Sequence, residues 1–212
     1  MIINTTLINE LKETYPNLTI VMASKYIETK DYQGFIDAGI KDFGESRVEA
    51  FVEKYDEIKN YPITHHFLGT VQSKKVKQFI NHIDCLHSLD RFKLAKEIQK
   101  HRQHPLPCFV QVNISKEKQK HGLALNQVAD FLKTIARFDK IQVIGLMGMA
   151  QLTDDKALIK TQFQRLKDLQ KRLSEDFDQL QFLSMGMSND YEIALDVGAT
   201  HLRLGRILFG GS

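Results

Sequence analysis

Short apolar runs alternate with segments of helical periodicity along the chain. Eight runs have the length and composition of buried strands, at residues 18–24, 42–44, 66–69, 85–88, 108–113, 142–149, 182–187 and 202–204. Between them, apolar residues recur at spacings of three and four, as in Ile159, Phe163 and Leu166, which is typical of amphipathic helices. Residues 1–14 predict a short amphipathic helix before the first strand.

The strict alternation of eight strands with helices predicts an α/β fold, a parallel sheet closed as a (β/α)8 barrel of the TIM type, because parallel strands need crossover helices. The sequence stops soon after the eighth predicted strand. We therefore expect the N-terminal helix to pack where the last helix of such a barrel would lie. No linker-like or repeated segment interrupts the pattern, so one domain over residues 1–212 is expected.

Composition narrows the class of protein. With 42% hydrophobic and 26% charged residues, the chain is typical of soluble globular proteins. No apolar run reaches the roughly 20 residues of a membrane-spanning helix, and the N-terminus lacks a basic region followed by a cleavage site. A cytoplasmic protein without a membrane partner is predicted.

Neither the charge nor the cysteine and histidine residues of the sequence predict a nucleic-acid partner or a metal. The net charge is +3, and the basic run at residues 74–77 has no aromatic neighbours that would stack on bases, so nucleic-acid binding is not expected. Cys85 and Cys108 lie inside predicted strands without CxxC spacing and are interpreted as buried thiols. His65 and His66 point to opposite faces of a strand, so we predict no metal site.

Lys25 is the first candidate for chemistry, because it ends the apolar run of the first predicted strand. An amine at the mouth of a largely apolar environment loses hydration, its pKa falls, and it can attack an aldehyde to form a Schiff base. The alternative is a lysine that simply extends from a strand end into solvent.

A phosphate site is expected where such barrels often hold one, in the loops after strands seven and eight. Ser188 follows strand seven and is predicted to be the N-cap of the next helix, while Gly205 follows strand eight. Backbone N–H groups, one hydroxyl and a helix N-terminus would form the anion site. The alternative is that Ser188 only caps a helix and Gly205 only turns the chain.

Eight short segments carry a resemblance to a known family. They are Ala-Ser-Lys at 23–25, Phe-Gly-Glu at 43–45, His-Phe-Leu-Gly at 66–69 with Gln-Ser-Lys at 72–74, His-Ser-Leu-Asp at 87–90, Gln-Val-Asn-Ile-Ser at 111–115, Gly-Leu-Met at 145–147, Ser-Met-Gly-Met-Ser at 184–188 and Arg-Leu-Gly at 203–205. In this order, nearly end to end, the chain resembles the pyridoxal phosphate homeostasis proteins, also called the proline-synthetase co-transcribed family. That family is similar to the barrel domain of alanine racemase and binds pyridoxal 5′-phosphate (PLP).

The resemblance implies PLP as the cofactor here. Lys25 would carry it as a Schiff base, while Ser188 and the amides of Gly205 and Arg206 would hold its phosphate. Arg203 would donate to the pyridine nitrogen. Because a guanidinium has no acceptor for a proton on that nitrogen, the pyridine would stay unprotonated. The ring is then a poorer electron sink than one paired with a carboxylate, which disfavours transamination. A surface salt bridge is the alternative role for Arg203.

Three further residues are expected near the cofactor. His66 and Asn113 would line the barrel mouth, although a strand-end histidine is equally often a hydrogen-bonded core residue. Met185, with Met147, would supply apolar packing around the ring.

Two positions depart from the family pattern. Ser46-Arg47 replaces the Asn-Tyr of many members, and Ser46 followed by Glu49 fits a capping box. Arg206 stands where many members have Thr or Ser, so its backbone N–H or guanidinium would replace that hydroxyl.

The function that follows is a PLP carrier or buffer in vitamin B6 homeostasis, without robust catalysis. PLP-dependent apo-enzymes are possible recipients, and a monomer is expected. Racemases of the related fold use a second base supplied with the help of a further β domain, which residues 1–212 do not contain. The alternatives are a racemase or lyase using Lys25 with a partner such as His66, a Schiff-base aldolase acting on a phosphosugar, and a regulatory module that binds other proteins.

Overall fold

Eight parallel strands form a closed barrel in chain order, β1 to β8, in a computed structural model that describes residues 1–115, 117 and 121–209. The strands are β1 (Thr19–Ala23), β2 (Asp42–Glu45), β3 (Thr64–Phe67), β4 (Cys85–Leu89), β5 (Leu106–Val112), β6 (Ile141–Gly148), β7 (Phe182–Ser184) and β8 (His201–Leu204). Strand β8 pairs with β1 and closes the ring. The predicted (β/α)8 barrel is confirmed.

Helices separate the strands as the periodicity predicts. They are α1 (Thr5–Thr14), α2 (Tyr32–Asp37), α3 (Val48–Ile58), α4 (Val76–Phe79), α5 (Phe92–His101), α6 (Val128–Ile135), α7 (Lys156–Leu173) and α8 (Tyr191–Val197). Short 3-10 turns lie at Ser24–Tyr26, Thr29–Asp31, Ser73–Lys75, Leu125–Gln127 and Arg206–Leu208. No helix among these described ranges is long and apolar enough to cross a bilayer.

The N-terminal helix α1 lies beside the segment that follows β8. The Asn4 N–H donates to the Leu208 carbonyl at 2.9 Å. At the other end of α1, Lys12 Nζ donates to the Gly39 carbonyl, just after α2, at 3.0 Å. Helix α1 therefore lies between the 3-10 turn at Arg206–Leu208 and α2, which confirms its predicted position.

Alternation along the strands separates two packing layers. Phe43 of β2 stacks on Tyr32 of α2, with ring centroids 4.5 Å apart, so its neighbour Asp42 points into the barrel. His65 of β3 contacts Phe51 of α3, whereas His66 faces the barrel interior. The main hydrophobic core lies between the barrel and the helices.

Inside the barrel, a small apolar cluster consists of Cys85, Phe109 and Met147. Cys85 and Cys108 are buried and unbridged, as predicted. Burial raises the pKa of both thiols, so they stay protonated at neutral pH.

The capping prediction at Ser188 is wrong. Strand β7 ends at Ser184, and helix α8 begins at Tyr191 with Asp190 at its N-cap. The reason is that the chain first turns at Met187, whose N–H donates to Asp190 Oδ1 at 2.6 Å. Ser188 therefore lies in a loop.

The predicted capping box at Ser46 is also wrong. Helix α3 has Arg47 at its N-cap, without a side-chain capping bond. Glu45 Oε1 instead accepts from the amides of Ser46 and Arg47, at 2.7 and 3.3 Å. The Glu49 carboxylate pairs with Lys75, so it is turned away from the helix start.

Candidate functional site

A cavity of about 240 Å³ opens at the carboxyl ends of β1, β6, β7 and β8. Five of the residues predicted to bind the cofactor line it, namely Lys25, Ser188, Arg203, Gly205 and Arg206. A neighbouring cavity of about 390 Å³ shares Leu152, Thr153, Ile159 and Asn189 with it. The barrel therefore brings residues from both ends of the sequence to one opening.

Lys25 lies in the 3-10 turn directly after β1. It lines the cavity but its side chain is exposed. This differs from the expected dehydrated amine, because the chain leaves the strand at Ala23 and the turn carries Lys25 out of the apolar barrel wall. Lys25 is therefore an exposed residue of the cavity wall.

A lysine of α3 holds the turn that carries Lys25. Lys54 Nζ donates to the carbonyls of Ser24 and Ile27, both at 3.2 Å, on either side of Lys25. The Glu45 carboxylate lies 3.6 Å from the same ammonium group. Ser24 Oγ also donates to the Gly44 carbonyl at 3.1 Å. These contacts fix the backbone from which Lys25 projects.

The loops after β7 and β8 meet at the opposite side of the cavity. The Gly205 N–H donates to Ser188 Oγ at 3.3 Å, which ties the two loops together. A Cβ atom built on Gly205 would meet no atom closer than Ala23 Cβ, at 3.8 Å. Protein crowding therefore does not explain this glycine, whereas a ligand approaching its backbone would. The exposed Arg206 adds a positive charge at the same edge.

Arg203 enters the cavity from the barrel interior rather than from the surface. The residue is only 6% exposed, which excludes the surface salt bridge considered as its alternative role. Its Nη1 donates to Ser184 Oγ at 2.7 Å and its Nη2 to the Gly148 carbonyl at 3.1 Å. Burial lowers the pKa of Arg203 to about 10, so the guanidinium remains charged at neutral pH.

Three predicted residues do not line this cavity. His66 lies inside the barrel, with Nε2 3.0 Å from Asp42 Oδ1. Asn113 donates through Nδ2 to the Glu117 carbonyl at 2.9 Å, in the loop after β5. Met185 is fully buried in the layer between the barrel and the helices, because it alternates with the inward-facing Ser184. For these three, a contact with cofactor stays a prediction.

Sequence reasoning assigned no role to several residues of this region. The cavity is also lined by Gln151, Thr153, Met187 and Asp190. These residues follow β6 and β7 in the sequence, and that position could have identified them as candidate site residues. Ser184, which contacts Arg203, lies in the Ser-Met-Gly-Met-Ser segment at 184–188, and the sequence alone indicates no role for it.

His87 is the other residue without a predicted role, and it lies in a polar cluster inside the barrel. Ligand atoms of His66, Cys85 and His87 lie within 4.8 Å of one another. His66 Nδ1 and His87 Nε2 are 2.9 Å apart, a hydrogen-bond distance. A hydrogen bond between the two imidazoles is sufficient to explain why they lie so close together.

Comparison with known proteins defines the class of this barrel. The family model described as "Alanine racemase, N-terminal domain" matches residues 32–212, which places Lys25 just before the matched span. Alanine racemase from Corynebacterium glutamicum superposes with a TM-score of 0.80 at 11% identity, over 98% of this chain and 61% of the racemase. At that identity the likeness concerns the fold alone. The molecule is a barrel of the alanine racemase N-terminal type.

Relatives of similar length identify the family within this class. The pyridoxal phosphate homeostasis protein of Aquifex aeolicus is 33% identical over 192 residues, covering 89% of this chain and 84% of the relative. The protein of that name from Pseudomonas aeruginosa is 35% identical over 82% of this chain and 75% of its own. The chain belongs to the pyridoxal phosphate homeostasis protein family.

A solved structure with the same architecture is PipY of Synechococcus elongatus, known with and without PLP. The form without PLP has a TM-score of 0.89 and 28% identity, covering 97% of this chain and 99% of PipY. The form with PLP bound has a TM-score of 0.85 and 27% identity over the same shares.

Proposed function

We propose that this chain binds PLP in the cavity beside Lys25 and acts as a carrier or buffer of the cofactor, without robust catalysis. The convergence of Lys25, Ser188, Gly205 and two arginines on one opening carries the proposal. Membership of the pyridoxal phosphate homeostasis protein family supports it. Cytoplasmic location, a monomeric state and apo-enzymes as recipients stay predictions from the sequence.

The residues present fit the chemical parts of PLP. Lys25 offers an accessible amine for the aldehyde, with which it would form a Schiff base. Ser188, the backbone of Gly205 and the cation of Arg206 offer the hydroxyl, close backbone approach and positive charge that a phosphate needs. The structural observation that supports this fit is the open space beside Gly205, where a Cβ atom would meet no close neighbour. When bound, PLP supplies an electrophilic carbon and a conjugated ring that can accept electrons.

Arg203 would determine how strongly that ring accepts electrons. A guanidinium has five N–H donors and no acceptor. Two of its donors are directed to Ser184 and Gly148, on the barrel side. A ring nitrogen that accepts from Arg203 stays unprotonated, and this limits carbanion chemistry while leaving covalent storage on Lys25 unaffected.

The racemase alternative needs a second base beside Lys25, and His66 does not supply one. Its two ring nitrogens face Asp42 and His87, at 3.0 and 2.9 Å, inside the barrel. His66 is 4% exposed and is not among the residues that line the cavity. This observation favours carriage of the cofactor over proton exchange between two faces of a substrate.

The first experiment is an absorption spectrum with and without added PLP. The wild type should show the visible band of Schiff-base-bound PLP, and Lys25→Ala should lack it. The matched control is Lys160→Ala, an exposed lysine on α7 away from the cavity, which should retain the band. Borohydride reduction followed by mass spectrometry should place pyridoxyl on the Lys25 peptide. A band of equal strength in Lys25→Ala would overturn the proposed linkage.

A second experiment separates carriage from catalysis. The loaded protein is incubated with L-amino acids, and the products are followed by chiral chromatography. Transfer of PLP to an apo-enzyme is measured in parallel, with free PLP as reference. Release without sustained turnover supports the carrier. Turnover that disappears in Lys25→Ala would instead establish a racemase or lyase, and trapping of a phosphosugar on Lys25 by borohydride would establish an aldolase.

A further inference from the structure

Five polar side chains form a hydrogen-bonded chain across the inside of the barrel. It begins at Arg203, whose Nη1 donates to Ser184 Oγ at 2.7 Å. Ser184 Oγ lies 2.8 Å from His87 Nδ1, and His87 Nε2 lies 2.9 Å from His66 Nδ1. His66 Nε2 lies 3.0 Å from Asp42 Oδ1, where the chain ends. Strands β8, β7, β4, β3 and β2 contribute one residue each.

When both imidazoles are neutral, the chemistry at the two ends determines the direction of every bond. Arg203 can only donate, so Ser184 accepts from it and can turn its own hydrogen toward His87 Nδ1. A neutral His87 that accepts at Nδ1 carries its hydrogen on Nε2 and donates to His66. His66 then carries its hydrogen on Nε2 and donates to the Asp42 carboxylate. All four hydrogen bonds therefore run from the cation to the anion.

One additional proton would reverse the middle of this chain. If His66 were protonated, both of its nitrogens would donate, and His87 would have to accept at Nε2. His87 would then carry its hydrogen on Nδ1 and donate to Ser184. The Ser184 hydroxyl would then accept from both Arg203 and His87, and His87 Nδ1 would no longer accept the serine hydrogen. The chain therefore has two proton arrangements that differ at the residue touching Arg203.

The surroundings hold His87 neutral, as both arrangements require. His87 is fully buried, and burial together with the nearby His66, Arg203 and His201 holds the pKa of His87 well below its usual range. The titratable and charged groups around the two imidazoles are Asp42 from β2, Cys85 from β4, and His201 and Arg203 from β8, with Asp190 acting on Arg203. Burial also holds the pKa of His201 low, at about 4, so it adds no charge at neutral pH.

We propose that Ser184 and His87 are positioning residues for Arg203, and that with His66 and Asp42 they form a one-directional hydrogen-bonded chain that fixes the guanidinium under the cofactor site. The chain connects Arg203 to Asp42, which is 26% exposed at the start of β2, the opposite end of the barrel from the cavity. The expected effect on PLP binding rests on the proposed function. The hydrogen-bonded chain does not, because it is formed by the protein without cofactor.

The direction of the chain is tested without PLP. Long-range proton–nitrogen NMR spectra of ¹⁵N-histidine-labelled protein at neutral pH report the tautomer of each ring, and His87→Asn assigns the His87 signals. We expect both His87 and His66 to be protonated at Nε2 and unprotonated at Nδ1. A hydrogen on Nδ1 of His87 would overturn the proposed direction.

The consequence for the site is tested with Ser184→Ala, which removes one oxygen from a buried position. The matched control is Cys85→Ala, another inward-facing buried residue that is outside the chain. Loss of a hydrogen bond to a charged group should weaken PLP binding about tenfold in Ser184→Ala. The absorption band of bound PLP should also move, whereas Cys85→Ala should leave the band in place.

A merely structural role for Ser184 would lower the unfolding midpoint while leaving the band unchanged, and that result would overturn the positioning role. If the wild type binds no PLP, the proposed function fails, but the histidine tautomers still decide whether the chain exists. The two failures are therefore distinguishable.

Discussion

Lys54→Met tests whether the 3-10 turn that carries Lys25 is held by one partly buried ammonium group. Lys54 Nζ donates to the carbonyls of Ser24 and Ile27, and it lies 3.6 Å from Glu45. The Glu45 side chain is 4% exposed, and its Oε2 atom makes no hydrogen bond within the described part of the chain. Methionine keeps most of the lysine stem but removes the charge and the donors.

The expected loss of stability follows from these contacts. Hydrogen bonds from a charged donor contribute about 1.5–3 kcal/mol each, and removing one partner of a buried ion pair costs about 3–5 kcal/mol. The Lys54 side chain is 24% exposed, so we place the loss in the free energy of unfolding at about 3 kcal/mol, the lower end of that range. For a chain of this length, this lowers the melting temperature by about 9 °C.

The assay is thermal and urea unfolding followed by circular dichroism. Lys59→Met at the C-cap of α3 is the control, because Lys59 pairs with Asp56 at an exposed position and should shift the midpoint much less. Adding Glu45→Gln to Lys54→Met should restore part of the stability, since the buried carboxylate charge is then gone. The reaction of Lys25 with PLP should also slow in Lys54→Met. Equal midpoints for Lys54→Met and Lys59→Met would refute the reasoning.

Acidification and two glycine substitutions give further predictions. Burial lowers the pKa of His201 from 6.5 to about 4, so between these pH values the unfolded chain binds a proton that the folded chain does not, and stability falls as the pH falls. At pH 5 this costs about 2 kcal/mol, which His201→Gln should remove and the exposed His104→Gln should not, in urea titrations at pH 5 and 7. Gly205→Ala should weaken PLP binding in a spectroscopic titration, because its Cβ enters the cavity. Gly69→Ala should chiefly lower the melting temperature, because its Cβ would overlap the Ser46 carbonyl oxygen.

Each of these has a contradicting outcome. Identical pH dependence in His201→Gln and wild type would show that His201 is not held neutral. PLP binding equal to wild type in Gly205→Ala would show that the ligand does not approach this backbone. An unchanged melting temperature in Gly69→Ala would mean that the loop after β3 relaxes away from Ser46.

The barrel was predictable because its signals are local. Each apolar run and each helical segment between the runs can be recognised from a few neighbouring residues. The ends of β1 and β8 lie within one residue of the predicted ends. The errors fall at the boundaries. Ser46 and Ser188 both have the residue type of a helix cap, but the carboxylates of Glu45 and Asp190 accept the nearby amide hydrogens instead.

Candidate chemistry was predictable where residue type and strand order were sufficient. Lys25, Ser188 and Gly205 follow predicted strands, and the carboxyl ends of barrel strands share one face, so their meeting at one cavity could be inferred. Met185 shows the limit of this reasoning, because a shift of one residue along a strand moves a side chain from the barrel interior to the helix layer.

Sequence patterns alone were sufficient for the class of fold and the family resemblance, and they indicated Lys25, Ser188 and Gly205 as candidates for binding an aldehyde and a phosphate. The exposure of Lys25 on a turn held by Lys54, and the connection of Arg203 to Asp42 through Ser184, His87 and His66, follow from the three-dimensional structure alone. The reason is physical: periodicity reports which residues are buried within one element, whereas a hydrogen-bonded chain joins side chains from five strands. Its members are up to 161 residues apart along the chain, from Asp42 to Arg203, and their alignment depends on the closure and register of the whole barrel.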